Sequence, residues 1–247
     1  MMKSVKYLLF LLIFTACNPD GECLKSAGSA VSQTLDVNPF HTIDIPKGFE
    51  VEIIQSNHYQ VDINSFKNRI DQITTHVNDS ILTIENYNDC SLIHRQKAGK
   101  ITIYTPTLHT IKSRTQFRIY SSDTLTFPNL FIISSLPENS ASSEIDLIIN
   151  NQSVAIEDNK AAYFKLSGKT QRFDISLYGG SPTVNAKDLL SNEIHFYHRS
   201  SNNIHLYPLD FVEGQLVSTG NAILYNKATN GESIVTTYKG KVEYRTP

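Results

Sequence analysis

The sequence predicts an all-β chain whose second half winds as a parallel β-solenoid of short strands. Apolar and polar residues alternate along many short runs, which is the period of a strand with one buried face. Apolar strand starts recur at Ile145, Val154, Tyr163, Phe173, Val184, Ile194, Ile204, Ile223 and Ile234, most of them nine to eleven residues apart. Composition agrees: 12 Tyr, 12 Phe and no Trp, with Ile, Val, Thr, Asn and Ser abundant, is the profile of strands joined by polar turns.

Residues 1–16 precede that pattern and read differently. Lys3 and Lys6 form a basic start, Tyr7 to Phe14 an apolar run, and Thr15-Ala16 a small-residue exit before Cys17, the layout of a secretory signal. The run is too short to cross a hydrocarbon layer of about 30 Å as a helix. Phe14-Thr15-Ala16-Cys17 resembles the lipobox of bacterial lipoproteins, which implies acylation of Cys17 and loss of everything before it. Several acyl chains anchor stably where one binds only marginally. The expected organisation is a signal peptide over 1–16, a lipidated tether over 17–35 and a β-solenoid head over 36–247.

The first strands follow the tether in Phe40 to Ile45, Phe49 to Ile53 and Tyr59 to Ile63, with Pro46-Lys47-Gly48 and Gln55 to His58 as turns. Ser65 to Ile73 holds the one short helical spacing, through Phe66, Ile70 and Ile73. Val77-Asn78-Asp79-Ser80 reads as a turn before Ile81 to Ile84, and Ile101 to Tyr104 continues the alternation.

In the second half, a period near ten fits either a β-sandwich of hairpins or a solenoid whose coils of about twenty residues each carry two or more short strands. The links decide between them. Hairpins favour two-residue Asn-Gly or Gly-X turns, whereas Asn150-Asn151-Gln152-Ser153 and Ser200-Ser201-Asn202-Asn203 are longer polar corners. Ile194-His195-Phe196-Tyr197 and Ile204-His205-Leu206-Tyr207 are near copies, as expected of a repeating unit. Gly168, Gly179-Gly180, Gly220, Gly231 and Gly240 fall between strand runs, where they serve turns; no phosphate-cradling Gly pattern is present.

Charge and cysteines bound the function. Lys3 and Lys6 leave with the signal, so 20 basic side chains face 24 acidic ones in the remainder. Without a basic patch, and with export expected, nucleic acid is an unsuitable partner. Cys23 and Cys90 remain after Cys17; in an oxidising compartment they are either a disulfide or a pair of buried thiols.

The order of several short motifs resembles the auto-transporter adhesin-like head (GIN) domain family of bacterial envelope lipoproteins. These are Glu22-Cys23-Leu24-Lys25-Ser26-Ala27-Gly28, the paired runs Phe40 to Ile45 and Phe49 to Ile54, Val77 to Asn86, Asn88-Asp89-Cys90, Leu166-Ser167-Gly168, and Thr219 to Tyr225. The resemblance spans residues 22 to 245. It implies a right-handed parallel β-helix head exposed in the envelope, an adhesive role and no catalytic residues to transfer. The expected membrane is the outer one, and no cofactor is expected. Ser134 to Ser143 departs from the family's Gly-rich habit.

Candidate chemistry is sparse. His195, His198 and His205 cluster in sequence, but on a strand His195 and Tyr197 share one face and His198 the other, and no Cys or carboxylate stands at metal-ligand spacing. Glu144, Asp146, Glu157, Asp158 and Asp174 are the acids that a carbohydrate-active enzyme on this scaffold would draw on; they form no repeated stack. No Gly-x-Ser-x-Gly elbow occurs. Tyr178, Tyr197, Tyr207, Tyr225, Tyr238 and Tyr244 fall at strand ends, and Tyr197, Tyr207 and Tyr225 are the preferred binding candidates because aromatic rings stack on sugars and anchor partners. The expectation is a non-enzymatic binding or structural module, tethered to a membrane by lipid, whose ligand is a glycan or an envelope or host protein. The sequence assigns no oligomeric state.

Overall fold

Alternation along each strand sends every second side chain inward, and the observed architecture follows from stacking those inward side chains coil on coil. The computed structural model describes residues 26–88, 98–134 and 143–245. Short strands come first: β1 (Ala30–Asp36), β2 (Thr42–Ile45), β3 (Phe49–Gln55), β4 (Gln60–Phe66), β5 (Ile73–Asn78) and β6 (Ile81–Asn86). They continue as β7 (Gly99–Thr105), β8 (Thr110–Ser113), β9 (Arg118–Tyr120) and β10 (Asn129–Ile133). Four long strands follow, β11 (Glu144–Asp158), β12 (Tyr163–Leu177), β13 (Thr183–His198) and β14 (Ile204–Leu216), and then β15 (Ala222–Leu224), β16 (Gly231–Thr236) and β17 (Val242–Tyr244). The helical spacing in Ser65 to Ile73 yields a single 3-10 turn, Ile70–Gln72, because Ser65 and Phe66 complete β4.

The strands build two parallel walls of a β-solenoid. Wall 1 runs β6–β2–β8–β10 and then through the second halves of β11, β12, β13 and β14 to β16. Wall 2 runs β7–β3–β9 and then through the first halves of the same long strands to β15 and β17. The register advances by one coil at a time, from Tyr163 to Thr183 on wall 2 and from Phe211 to Gly231 on wall 1, both 20 residues. Coils of the expected length form, and the sandwich alternative does not.

Columns of buried side chains fill the space between the walls. Val154, Phe173, Ile194 and Val212 make one, and Ile145, Phe164, Val184, Ile204 and Ala222 another. Each fully buried Val, Ile or Phe contributes about 1.5–3 kcal/mol, so a column holds the coils in a single register. The column Ile156, Ile175, Phe196, Gly214, Ile234 contains a size match: a Cβ at Gly214 would lie 2.5 Å from the Phe196 ring.

The N-terminal half departs from chain order. β6–β7 stack outside β2–β3, while β8–β9 follow on the other side. Antiparallel strands then close this end, β4 and β1 beyond β7 and β5 beyond β6. The β5–β6 hairpin turns at Asp79 and Ser80, both at positive φ (48° and 61°), the conformation of a two-residue primed turn. Such closure blunts an edge that would otherwise pair with another chain.

Gly214→Ala is expected to cost about 1–3 kcal/mol through overpacking, read as a lower denaturant midpoint. Phe196→Leu in the same chain should recover part of that loss; additive penalties would show that the ring and the glycine are not matched.

Candidate functional site

The tyrosine candidates are divided between the walls. Tyr197 faces outward from β13 on wall 1, its ring 5.9 Å from Tyr178 and inclined at 41°. Tyr207 and Tyr225 belong to wall 2: Tyr225 donates its backbone N–H to Leu206 O at 2.8 Å, and its hydroxyl lies 3.1 Å from His205 Nδ1. The two near-copy segments, 194–197 and 204–207, thus lie on different walls, because the repeated unit is half a coil.

The histidines separate as alternation requires. His195 faces out, with Nδ1 2.8 Å from Glu213 and Nε2 3.7 Å from Glu193. His198 is fully buried between Leu177 and Leu216 in its column. Burial pushes its pKa down to about 4, and neither ring nitrogen has a hydrogen-bond partner among the described residues. Among the described residues no three His, Cys, Asp or Glu side chains group as metal ligands.

Of the candidate acids, Glu144 and Asp146 share Arg118, and Asp158 and Asp174 have partners of their own. Asp174 is forked by Arg172 through Nε and Nη2 at 2.8–3.1 Å. Asp158 is buried at a corner, where it accepts the backbone N–H groups of Lys160 and Ala162 at 3.1 Å; burial raises its pKa, and these hydrogen bonds oppose the rise. Asp146 accepts hydrogen bonds from Arg118 and from Lys165, the latter at 3.1 Å. Burial alone would raise the pKa of Asp146, but these two cations bring it below the usual carboxylate value.

Asp146 belongs to an ion-pair ladder along wall 2 that spans β7, β3, β9, β11 and β12. Lys100 Nζ donates to Glu52 at 2.6 Å, as does Ser122 Oγ. Lys100 and Arg118 both sit over the Tyr120 ring, at 5.5 and 4.7 Å. Arg118 then reaches Asp146 and, at 3.8 Å, Glu144. The pKa of Glu52 is also lowered, since Lys100 and Ser122 outweigh the cost of burial. No local sequence pattern links Glu52, Lys100, Arg118 and Tyr120; stacking out of chain order brings them together. An open groove by the closed end, lined by Val31, Asn64, Phe66 and Lys100, adds no further titratable group. Cys17, Cys23 and Cys90 lie outside the described residues.

Stacked coils presenting two outward walls place the chain in the class of β-solenoid head domains. It belongs to the family described as "Putative auto-transporter adhesin, head GIN domain", whose model matches residues 39–228. The fold is shared with solved structures. A putative adhesin from Bacteroides fragilis superposes with a TM-score of 0.78 at 19% identity, over 88% of this chain and 97% of its own. A putative adhesin from Parabacteroides distasonis gives 0.63 at 16%, over 88% and 98%. A protein from the same species described as a putative lipid binding protein gives 0.63 at 14%, over 88% and 97%. No curated protein matches the chain.

His198 makes stability depend on pH. The unfolded chain binds the proton with an ordinary pKa of 6.5 and the folded chain at about 4, so acid favours unfolding. The stabilisation is complete above 6.5 and is lost as pH falls from 6.5 to 4, by about 3 kcal/mol for this site; His205, also lowered by burial, acts in the same direction. His198→Leu, which continues the Leu177 and Leu216 column, is expected to flatten the denaturant midpoint between pH 6.5 and 4. An unchanged slope would show that His198 is not the group responsible.

Proposed function

We propose that this chain is a non-enzymatic binding module of the bacterial envelope, held at a membrane by lipid on Cys17 and displaying its walls to a glycan or protein partner. The carrying observation is the pair of outward walls that run through coil after coil of an adhesin-family head. Register-fixed surfaces of this kind suit contact with an extended ligand. The engagement of Glu52, Asp146 and Asp174 by cations supports binding over acid–base chemistry, since these carboxylates are already committed to partners. A glycosidase needs two carboxyl groups about 5–10 Å apart across a cleft, with one able to hold a proton.

The anchor reading rests on the basic start, the apolar run and the small residues ahead of Cys17. Among the described residues no helix is long and apolar enough to cross a membrane; the proposed attachment is the lipid on Cys17. On this reading the tether carries the head on the outer membrane, in the periplasm or at the surface.

Cys17→Ser should leave the membrane fraction and lose palmitate labelling; retention of both would refute the anchor. The detergent-solubilised full chain is expected to retain ligands on a glycan array or in a pull-down from envelope and host-cell extracts. Finding no specific glycan or protein in either would contradict the binding reading.

A further inference from the structure

We infer that Tyr178, Tyr197 and Arg199 form a binding site for a carboxylate-bearing sugar on wall 1. This assignment rests on the binding-module reading and narrows it to one place and one ligand class. Tyr178 follows Leu177 at the end of β12, and Arg199 follows His198 at the end of β13; Leu177 and His198 are register partners. Arg199 therefore lies beside Tyr178 on the adjacent coil, with its backbone N–H donated to Leu177 O at 2.8 Å. Tyr197, two residues before Arg199, stands against Tyr178 at a centroid distance of 5.9 Å.

Three properties make this corner receptive. Tyr178 is 50% exposed, and the two residues that follow it, Gly179 and Gly180, carry no side chain that could fold over the ring. Gly180 is held at φ +69°, where an added Cβ would fall 2.0 Å from Lys160 O; the backbone requires this bare corner. The third property is charge. Arg199 is exposed and its guanidinium has no side-chain partner among the described residues. Elsewhere on the wall, Arg172 is closed by Asp174, Arg114 by Asp44 and His195 by Glu213.

Chemistry then selects the ligand. A tyrosine pair offers an amphipathic platform for the C–H face of a sugar ring, and a free guanidinium is a planar fork matched to a carboxylate. Ser176 and Gln215 flank Tyr197 in register and can exchange hydrogen bonds with ring hydroxyls. Glu157, one coil beyond Ser176, already has a partner. A uronic or sialic acid residue satisfies both platform and fork, whereas a neutral sugar engages the platform alone.

The test measures binding of the detergent-solubilised full chain to sialyllactose, tetragalacturonate and lactose, with circular dichroism confirming that each variant keeps its strand signal. At least one acidic probe should bind about tenfold or more tightly than lactose, and the preferred probe distinguishes a sialic from a uronic acid. Arg199→Gln should abolish that preference and Arg199→Lys should retain part of it. Tyr178→Ala and Tyr197→Ala should weaken all binding at the site. Equal affinity for acidic and neutral probes, or an acidic preference that survives Arg199→Gln, overturns the site. If the chain binds ligands elsewhere and none of these variants matters, this site falls and the module reading stands; if neither glycan nor protein binds at all, both fall.

Discussion

Ile145 lies beneath Phe164, Phe164 beneath Val184 and Val184 beneath Ile204, and this in-register transfer of buried side chains from coil to coil governs the rest of the molecule. A strand alternates its faces with period two, so a slip of one residue would turn the whole inward set to solvent. Register is therefore fixed by burial, and fixing the inward column also fixes the outward one. The positions of Tyr197 beside Gln215, or Asp146 beside Lys165, follow from apolar residues that never reach the surface.

The outward walls then differ in character. Wall 2 commits its charges internally: Lys100, Glu52, Arg118, Asp146 and Lys165 neutralise one another around Tyr120. Partly exposed pairs of this kind contribute little individually, but as a network they bridge strands from the closed end to the long coils. Wall 1 closes Arg114, Arg172 and His195 in separate pairs and leaves Arg199, in register after Leu177 and so next to Tyr178 along the backbone, without a side-chain partner among the described residues. Recognition is more readily built on the wall whose charge is unspent.

Much of the architecture was legible in the sequence, because burial writes itself into alternation. The strand starts from Ile145 to Ile234 each fall in a half-coil or short strand of the stack, and the opposed faces of His195 and His198 followed from spacing alone. The half-coil at Phe211 carries a weaker signal because Gly214 interrupts its apolar pattern, and the Phe196 ring above it explains the glycine. The stacking order of the first half was not legible. β7 stacks on one side of β3 and β8 on the other side of β2, so Glu52 meets Lys100 and Asp44 meets Arg114 across chain separations that no local pattern encodes. For the candidate site, Tyr197 was singled out from its type and position, but its pairing with Tyr178 and the exposure of Arg199 depend on which coil lies next to which. Tyr207 and Tyr225 share its composition and not its wall.

Amide hydrogen exchange on the full chain tests the stacked-register account most directly, because protection reports which backbone groups are paired and how cooperatively they open. The account expects slow exchange across residues 144–216 as one block, equally in the halves that form wall 1 and wall 2, with protection falling toward residues 231–245. Protection confined to one half of each long strand would contradict it, since neither wall can hold register without the buried columns they share.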